Sequence, residues 1–312
     1  MHTFIKNTAQ NLGFDACGIS PADELTGDKV YMKNWLKVGL NGDMQYLERN
    51  FDKRFDPRLL VPGCKSVIVT LTNYYTSENQ PENAPKIAKY GWPEVDYHFV
   101  IKAKLSQLEQ AIRNEFGNDC FNDDCQHLFV DSAPFAEKSF AQRAGLGWVG
   151  KNKLLISPVL GSFCFIGILL INNEMVYDEP IRDKCGNCTR CIDACPTKAL
   201  QNGVLDARRC ISYLTLETKR EIQEDLKPYI SGYVKGCDIC ANVCPWNKKL
   251  SKQHDQIELK PVKEILEFTK EDWLQLSQTE FNRIFGKSAI KRGGFERLKE
   301  MIGLPLNPQN GE

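Results

Sequence analysis

The sequence lacks an apolar run long enough to cross a membrane. Its longest, Phe163–Ile171, is nine residues, against the ~20 that a bilayer helix needs. No secretory leader is expected either, since the N-terminal "MHTFIKNTAQNLGF" is amphipathic rather than a charged head followed by an apolar core. Net charge is also missing. Forty basic residues balance forty acidic ones, so no global field advertises a nucleic-acid partner and only local patches could serve one. These absences lead to the expectation of a cytoplasmic protein with no membrane partner. At 312 residues, 26% charged and 42% apolar, the chain has ordinary globular composition and room for two domains.

What is plentiful is cysteine, with thirteen residues. Cytoplasmic thiols stay reduced, so a dense cysteine pattern there points to metal rather than disulfides. "CGNCTRCIDACP" reads C-x2-C-x2-C-x3-C-P, with Cys185, Cys188, Cys191 and Cys195 before Pro196. This is the bacterial ferredoxin run, whose fourth cysteine serves the other cluster of a pair. "CDICANVCP" repeats the ending with Cys237, Cys240 and Cys244, but Val234 stands where its first cysteine should be. Two 4Fe-4S clusters need eight thiolates and the runs supply seven; Cys210, lying between them, is the nearest candidate for the eighth. Crossing the ligands as the motif implies gives Cys185, Cys188, Cys191 and Cys244 to one cluster, and Cys195, Cys210, Cys237 and Cys240 to the other. Zinc also favours C-x2-C pairs but has no use for the tight three-cysteine run. Cys17, Cys64, Cys120, Cys125 and Cys164 have no partner spacing and read as small buried hydrophobes.

Periodicity organises the rest. The first residues to Gly13 predict a helix, Ser66–Thr72 a buried strand, Ile101 to Ile112 a long helix, His127–Asp131 a short strand and Pro134–Ala144 a helix. "LLIS" and "SFCFIGILLI" read as strands joined in a hairpin through "PVLG". Residues 1–180 thus look like an α+β domain with a mixed sheet, residues 181–250 a ferredoxin-like module, and residues 251–312 a helical segment opened by a Ser277–Glu280 capping box. The Pro- and Gly-rich tail is expected to fray.

Two motifs are decoys. "GLGWVGKN" (residues 145–152) has G-x-G-x-x-G spacing, but its glycines follow a helix and precede a strand, and no Asp or Glu occurs from Lys151 to Asn173. Neither a dinucleotide fingerprint nor a P-loop fits that order. Asp96-x-His98 begins a cobalt-ligating motif but lacks its glycine, since residue 101 is isoleucine; it lies at a helix start, where a cap is the simpler reading. Asp131 ends a short strand beside a turn-forming "SAP", a place where either a helix cap or a site carboxyl could stand.

The combination of "VDSAPFAEKSFAQRAGLGWVGKN", "RRCISYLTLE", "SAIKR" and the split cysteine runs resembles the epoxyqueuosine reductases. The resemblance spans roughly residues 54–292. It implies a nitroreductase- and reductive-dehalogenase-like cobalamin-binding domain, base-off cobalamin reduced by two 4Fe-4S clusters, an external electron donor, and tRNA carrying epoxyqueuosine as substrate. Asp131 falls on the family's proton donor. Arg54, Leu155, Ile166 and Ser212 fall on its corrin contacts, and the glycine loop would approach the corrin ring. The family's C-terminal repeat extension is not expected here, and a monomer is expected. Six basic residues between Phe281 and Lys299 (Arg283, Lys287, Lys291, Arg292, Arg297 and Lys299), with Lys248, Lys249 and Lys252, are candidate phosphate contacts. A small-molecule dehalogenase shares the cofactors, and a plain ferredoxin carrier would not need residues 1–180.

Overall fold

The computed structural model describes residues 1–201 and 203–304. Helix α1 (His2–Asn11) turns Ile5 and Ala9 inward. It gives way at Gly13, whose φ of +79° favours glycine, to β1 (Ala16–Pro21). Helix α2 (Thr26–Lys37) follows, then β2 (Ser66–Asn73), buried at every position, and the short β3 (Lys86–Ile87). Helix α3 (Tyr97–Phe116) buries Ile101, Leu105, Leu108 and Ile112 along one stripe. Next come β4 (Leu128–Phe129), α4 (Glu137–Arg143), β5 (Trp148–Val149), β6 (Leu155–Ile156) and β7 (Cys164–Ile171).

The main sheet runs β1-β2-β7-β4, and every neighbouring pair in it is antiparallel. The mixed sheet read from the sequence is therefore corrected. The hairpin through "PVLG" holds only at its turn, where Ser157 and Gly161 pair; beyond it β6 pairs with β5, placing Trp148 opposite Ile156 and Val149 opposite Leu155. A Ser157–Gly161 bridge reverses the chain before β7 begins. Alternation then divides the sheet's two faces. Ile68, Phe165, Leu169 and Ile171 pack with the core residues of α1 and α3. Val67, Val69, Leu71, Ile168 and Leu170 pack against Phe140, Ala141 and Ala144 of the α4 segment.

The second half opens with α5 (Arg190–Asp193), the hairpin strands β8 (Leu200–Gln201) and β9 (Val204–Leu205), and α6 (Ile211–Leu216). Helix α7 (Lys227–Ile230), β10 (Tyr233–Lys235), α8 (Ile239–Asn242) and α9 (Pro245–Leu250) complete the cysteine region. Helices α10 (Lys263–Glu267), α11 (Lys270–Gln275), α12 (Gln278–Phe285) and α13 (Phe295–Ile302) close the described chain. The Ser277–Glu280 box caps α12 as expected, and a second box, Thr269–Asp272, caps α11. A third core gathers Trp273, Phe281 and Phe285 with Ile211, Leu214 and Ile230, and also takes in Ala84, Ile87 and Trp92. Parallel pairing of β10 with β3 fastens that early segment there, so the hydrophobic cores do not follow chain order. The fraying tail expected from the sequence lies mostly in residues 305–312, outside the described residues.

Candidate active site and cluster sites

The eight motif cysteines divide between two cavities. Cys185, Cys188, Cys191 and Cys244 line one of about 380 Å³. Cys195, Cys210, Cys237 and Cys240 line another of about 280 Å³. The division follows from the local fold. Each run folds into a short helix, α5 or α8, and the two helices pack together. Each run's last cysteine precedes a proline that starts a new direction, Pro245 being the first residue of α9. Each last cysteine is thereby carried out of its own run and into the other run's cavity.

Burial pushes the Cys237 thiol up to about 12, and raises Cys210 and Cys240 as well. Metal binding there must displace protons. Trp148 Nε1 is buried without a hydrogen-bond partner and faces the Cys185 thiol; a thiolate at that position would accept it. The donor set thus fits two 4Fe-4S clusters. Of the five remaining cysteines, Cys64 and Cys120 are buried, while Cys17, Cys125 and Cys164 are half-buried.

The loop "GLGWVGKN" serves these cavities. A Cβ on Gly147 would lie 2.3 Å from the Ile156 carbonyl oxygen, one on Gly150 2.5 Å from Ile156 Cδ1, and one on Gly145 (φ +72°) 2.7 Å from the Glu179 oxygen. The glycines therefore admit the chain's own backbone and β6, and the residues that follow them, Asn152 to Leu154, line the second cavity. Lys151 Nζ donates to the carbonyl oxygens of Gly186 and Cys188 at 2.7 and 3.0 Å. Asn152 lines both cavities and its amide donates to the Cys240 carbonyl at 3.4 Å.

Asp131 stands between β4 and α4 with its backbone in the left-handed region, φ +48°. Aspartate tolerates that region better than most residues, at some cost. It does not cap α4, whose N-cap is Ala136. Instead Tyr97 donates its hydroxyl to Asp131 Oδ2 at 2.6 Å, and the Asp131 N–H donates to Glu137 Oε1 at 2.7 Å. Tyr97 is itself fixed. It stacks on Phe165 at 3.9 Å and 2°, Phe165 stacks on Tyr74 at 4.3 Å, and His98 stacks on Tyr97 at 4.2 Å. Asp96 caps α3 by accepting the His98 N–H at 3.0 Å, and its carboxylate also meets His98 Nδ1 at 2.6 Å. The Asp-x-His pair is thus a helix cap. Glu137 is 9% exposed, and its carboxyl is held well above the usual range by burial and by the Asp131 carboxylate.

The four expected corrin contacts are placed differently from one another. Arg54 Nε is buried without a partner, while its carbonyl accepts the Ala136 N–H at 2.9 Å and so touches the Asp131 loop. Ser212 lines the second cysteine cavity; there Leu154 does so in place of Leu155, whose side chain sits in the core at 4% exposure. Ile166 is half-buried on β7 and packs against the α4-side core. The orphaned guanidinium nitrogen beside the Asp131 loop and the roomy cavity lined by Ser212 and Leu154 fit a large polar-edged cofactor.

A small pocket beside Tyr97 contains Asp96, Glu217, Lys235 and Arg292. Lys235 is 3% exposed and donates to the Ile290 carbonyl at 3.1 Å; burial pushes its pKa down to about 8. Of the six basic residues near the C-terminus, Arg297 and Lys299 spend their donors on the carbonyls of Leu214, Leu274 and Leu276. Lys287, Lys291 and Arg292 remain exposed, and Arg292 lines this pocket. Tyr97, Glu137 and Lys235 were not read from the sequence. Glu137 resembles any first-turn helix acid, and the other two carry no motif.

Residues 184–247 match the 4Fe-4S double cluster binding domain, and residues 54–132 match the family described as epoxyqueuosine reductase QueG, DUF1730. An epoxyqueuosine reductase of Cellulophaga algicola is 45% identical over 96% of this chain and 95% of its own length. One from Pseudomonas aeruginosa is 37% identical over 97% of this chain and 84% of its own. Among solved structures, a selenomethionine-labelled epoxyqueuosine reductase superposes with a TM-score of 0.86 at 29% identity, covering 96% of this chain and 80% of that one. Another, crystallised with an epoxyqueuosine-modified tRNA stem loop, gives 0.83 at 30%, covering 96% and 79%. With this extent of identity added to the paired cysteine cavities, the chain belongs to the epoxyqueuosine reductase family and is an oxidoreductase.

Proposed function

We propose that the protein reduces epoxyqueuosine to queuosine in tRNA, with Asp131 as proton donor. Removing an epoxide oxygen as water while leaving an alkene takes two electrons and two protons, and both protons end on that oxygen. A reduced, base-off corrin fed by the two clusters supplies the electrons when bound. The chain's own residues do the rest. Asp131 gives a proton to the oxygen as the ring opens, where negative charge would otherwise accumulate. Tyr97, fixed in its aromatic stack, orients the Asp131 carboxyl. Arg54 offers its unpartnered guanidinium nitrogen, and Ser212 the cavity-facing helix start, to the cofactor's polar edge, with Leu155 and Ile166 contributing through the strands that carry them.

One observation carries this reading. Tyr90 lines both the second cysteine cavity and the small pocket that contains Tyr97, the hydrogen-bond partner of Asp131, which supports a proton source placed near the electron source. A relative from Bacillus subtilis has been crystallised with its catalytic aspartate loop swung out of the active site, which suits a proton donor carried on a loop. On this reading residues 1–180 carry the acid and the corrin, 181–250 the clusters and 251–312 part of the tRNA contact, in a cytoplasmic monomer. Lys151, Lys184 and Lys249 rim the first cavity without an acidic neighbour in its lining, a face suited to an acidic external electron donor.

The test is anaerobic reconstitution with iron, sulfide and cobalamin, then assay on epoxyqueuosine-containing tRNA with a strong chemical reductant. Queuosine should form, and Asp131→Asn should keep its cobalamin absorbance while losing most turnover. No queuosine despite full loading overturns the proposal.

A further inference from the structure

The left-handed backbone at Asp131 needs something to hold it. An aspartate there relaxes readily to a right-handed or extended form, and three hydrogen bonds hold the 131–136 segment besides its own Phe135–Ala133 bond and those of α4 to the Ala136 carbonyl. Two attach its ends: the Tyr97 hydroxyl on the carboxylate and the Arg54 carbonyl on the Ala136 N–H. The third, from the Asp131 N–H to Glu137 Oε1, alone acts on the backbone of residue 131. We propose that Glu137 is the positioning residue of this loop: its grip on the Asp131 amide keeps residue 131 left-handed with the carboxyl turned to Tyr97, and losing that grip lets the loop swing away. The proposal rests on the reading of Asp131 as proton donor.

Glu137 is unusual for its place. An acid in the first turn of a helix ordinarily faces solvent, where it meets the helix dipole. Glu137 instead folds back over the turn that precedes α4 and is nine-tenths buried. Its ionisable neighbours are Asp131, Lys138 and Arg54. The Asp131 carboxyl is also within hydrogen-bonding reach of the Glu137 carboxyl, and two carboxylates this close do not both ionise. Glu137 accepts the Asp131 N–H through Oε1, and the proton that the pair retains lies between the two carboxyls. A glutamine can make both bonds with its amide, whereas leucine can make neither. Movement of the corresponding loop is on record in the Bacillus subtilis relative, crystallised with its catalytic aspartate loop out of the active site.

The experiment compares Glu137→Gln and Glu137→Leu in the reconstituted holoenzyme and in the full chain as purified. Amide hydrogen exchange is followed in residues 130–136, beside kcat and KM for epoxyqueuosine-containing tRNA. E137L should speed exchange in this segment about tenfold or more, as for a locally opened loop, and lower kcat by a similar factor with KM within about twofold. E137Q should stay within about twofold of the wild type in both. Wild-type exchange in E137L, or an E137Q as impaired as E137L, overturns the proposal. If E137L does not fold, Glu137→Asp, whose shorter reach breaks the same contact, takes its place with the same expectations. The exchange arm is independent of the chemistry. Full turnover in Asp131→Asn would remove the proton-donor reading, while the exchange result would still decide whether Glu137 holds the loop.

Discussion

Cys240 and Cys244 are four residues apart, yet they line different cavities. Pairs of substitutions turn that separation into a quantitative test. Each 4Fe-4S cluster contributes about four irons per chain, so the reconstituted protein should carry about eight. Cys244→Ala should lower this to about four, because only the cavity with Cys185, Cys188 and Cys191 loses a ligand. Adding Cys185→Ala to it should cost nothing more, since both residues serve the same cluster. Adding Cys240→Ala should take the iron toward zero, although the two positions lie within a single turn of sequence. Cys210→Ala should behave as a single loss from the second cavity. Iron and sulfide analysis reads the stoichiometry, and electron paramagnetic resonance of the reduced protein reads how many clusters survive. If Cys240→Ala/Cys244→Ala keeps about four irons while Cys185→Ala/Cys244→Ala keeps none, the ligands are sorted by run and the crossed arrangement is wrong.

Tyr97→Phe removes the donor to Asp131 Oδ2 but keeps the ring in its stack. A hydrogen bond to a charged group is worth about 1.5–3 kcal/mol, so kcat should fall roughly ten- to hundredfold with tRNA KM nearly unchanged; an unaltered kcat would remove Tyr97 from the orienting role. Lys235→Met tests the buried ammonium. With its pKa lowered from 10.5 to about 8, Lys235 penalises the folded state by about 3 kcal/mol below pH 8. The unfolded chain retains the proton up to about pH 10.5, so the penalty shrinks as pH rises between the two values and wild-type stability climbs there. The variant leaves the Ile290 carbonyl without its donor at about 1–3 kcal/mol. It should therefore be about 1 kcal/mol more stable at pH 7 in denaturant titrations and should lose the alkaline climb; parallel pH profiles would refute the assignment.

The division of the cysteines between two cavities was legible because metal chemistry fixes thiol spacing along the chain, and the crossing is already implicit in a cysteine followed by proline. Asp131 was visible as a strand-end carboxyl but not as an oriented one. Its partner Tyr97 lies 34 residues away on α3, and Glu137 differs from an ordinary first-turn acid only in the direction its side chain takes. The sheet was misread where sequence periodicity is weakest. The strand "ACGISP" carries little β signal, yet it completes the antiparallel edge against β2. The expected hairpin stops at its Ser157–Gly161 turn, because Gly147 lets the Ile156 carbonyl approach too closely for any side chain and β6 pairs with β5 instead. Spacing excluded a nucleotide at "GLGWVGKN" but could not name what the glycines pack against, since Ile156 and Glu179 are neighbours only in space.

The crossed cysteines also constrain how the protein is made. When a growing chain has passed Cys195, it holds three of the four ligands of the first cavity and one of the second. The second cavity is complete only at Cys240 and the first only at Cys244, near the end of the cysteine region. Synthesis thus offers no stage at which one site is finished and the other not begun. On the proposed ligand assignment iron and sulfide arrive late, after both halves of the module have met, and an interruption anywhere before Cys240 leaves neither cavity with its full set of cysteines.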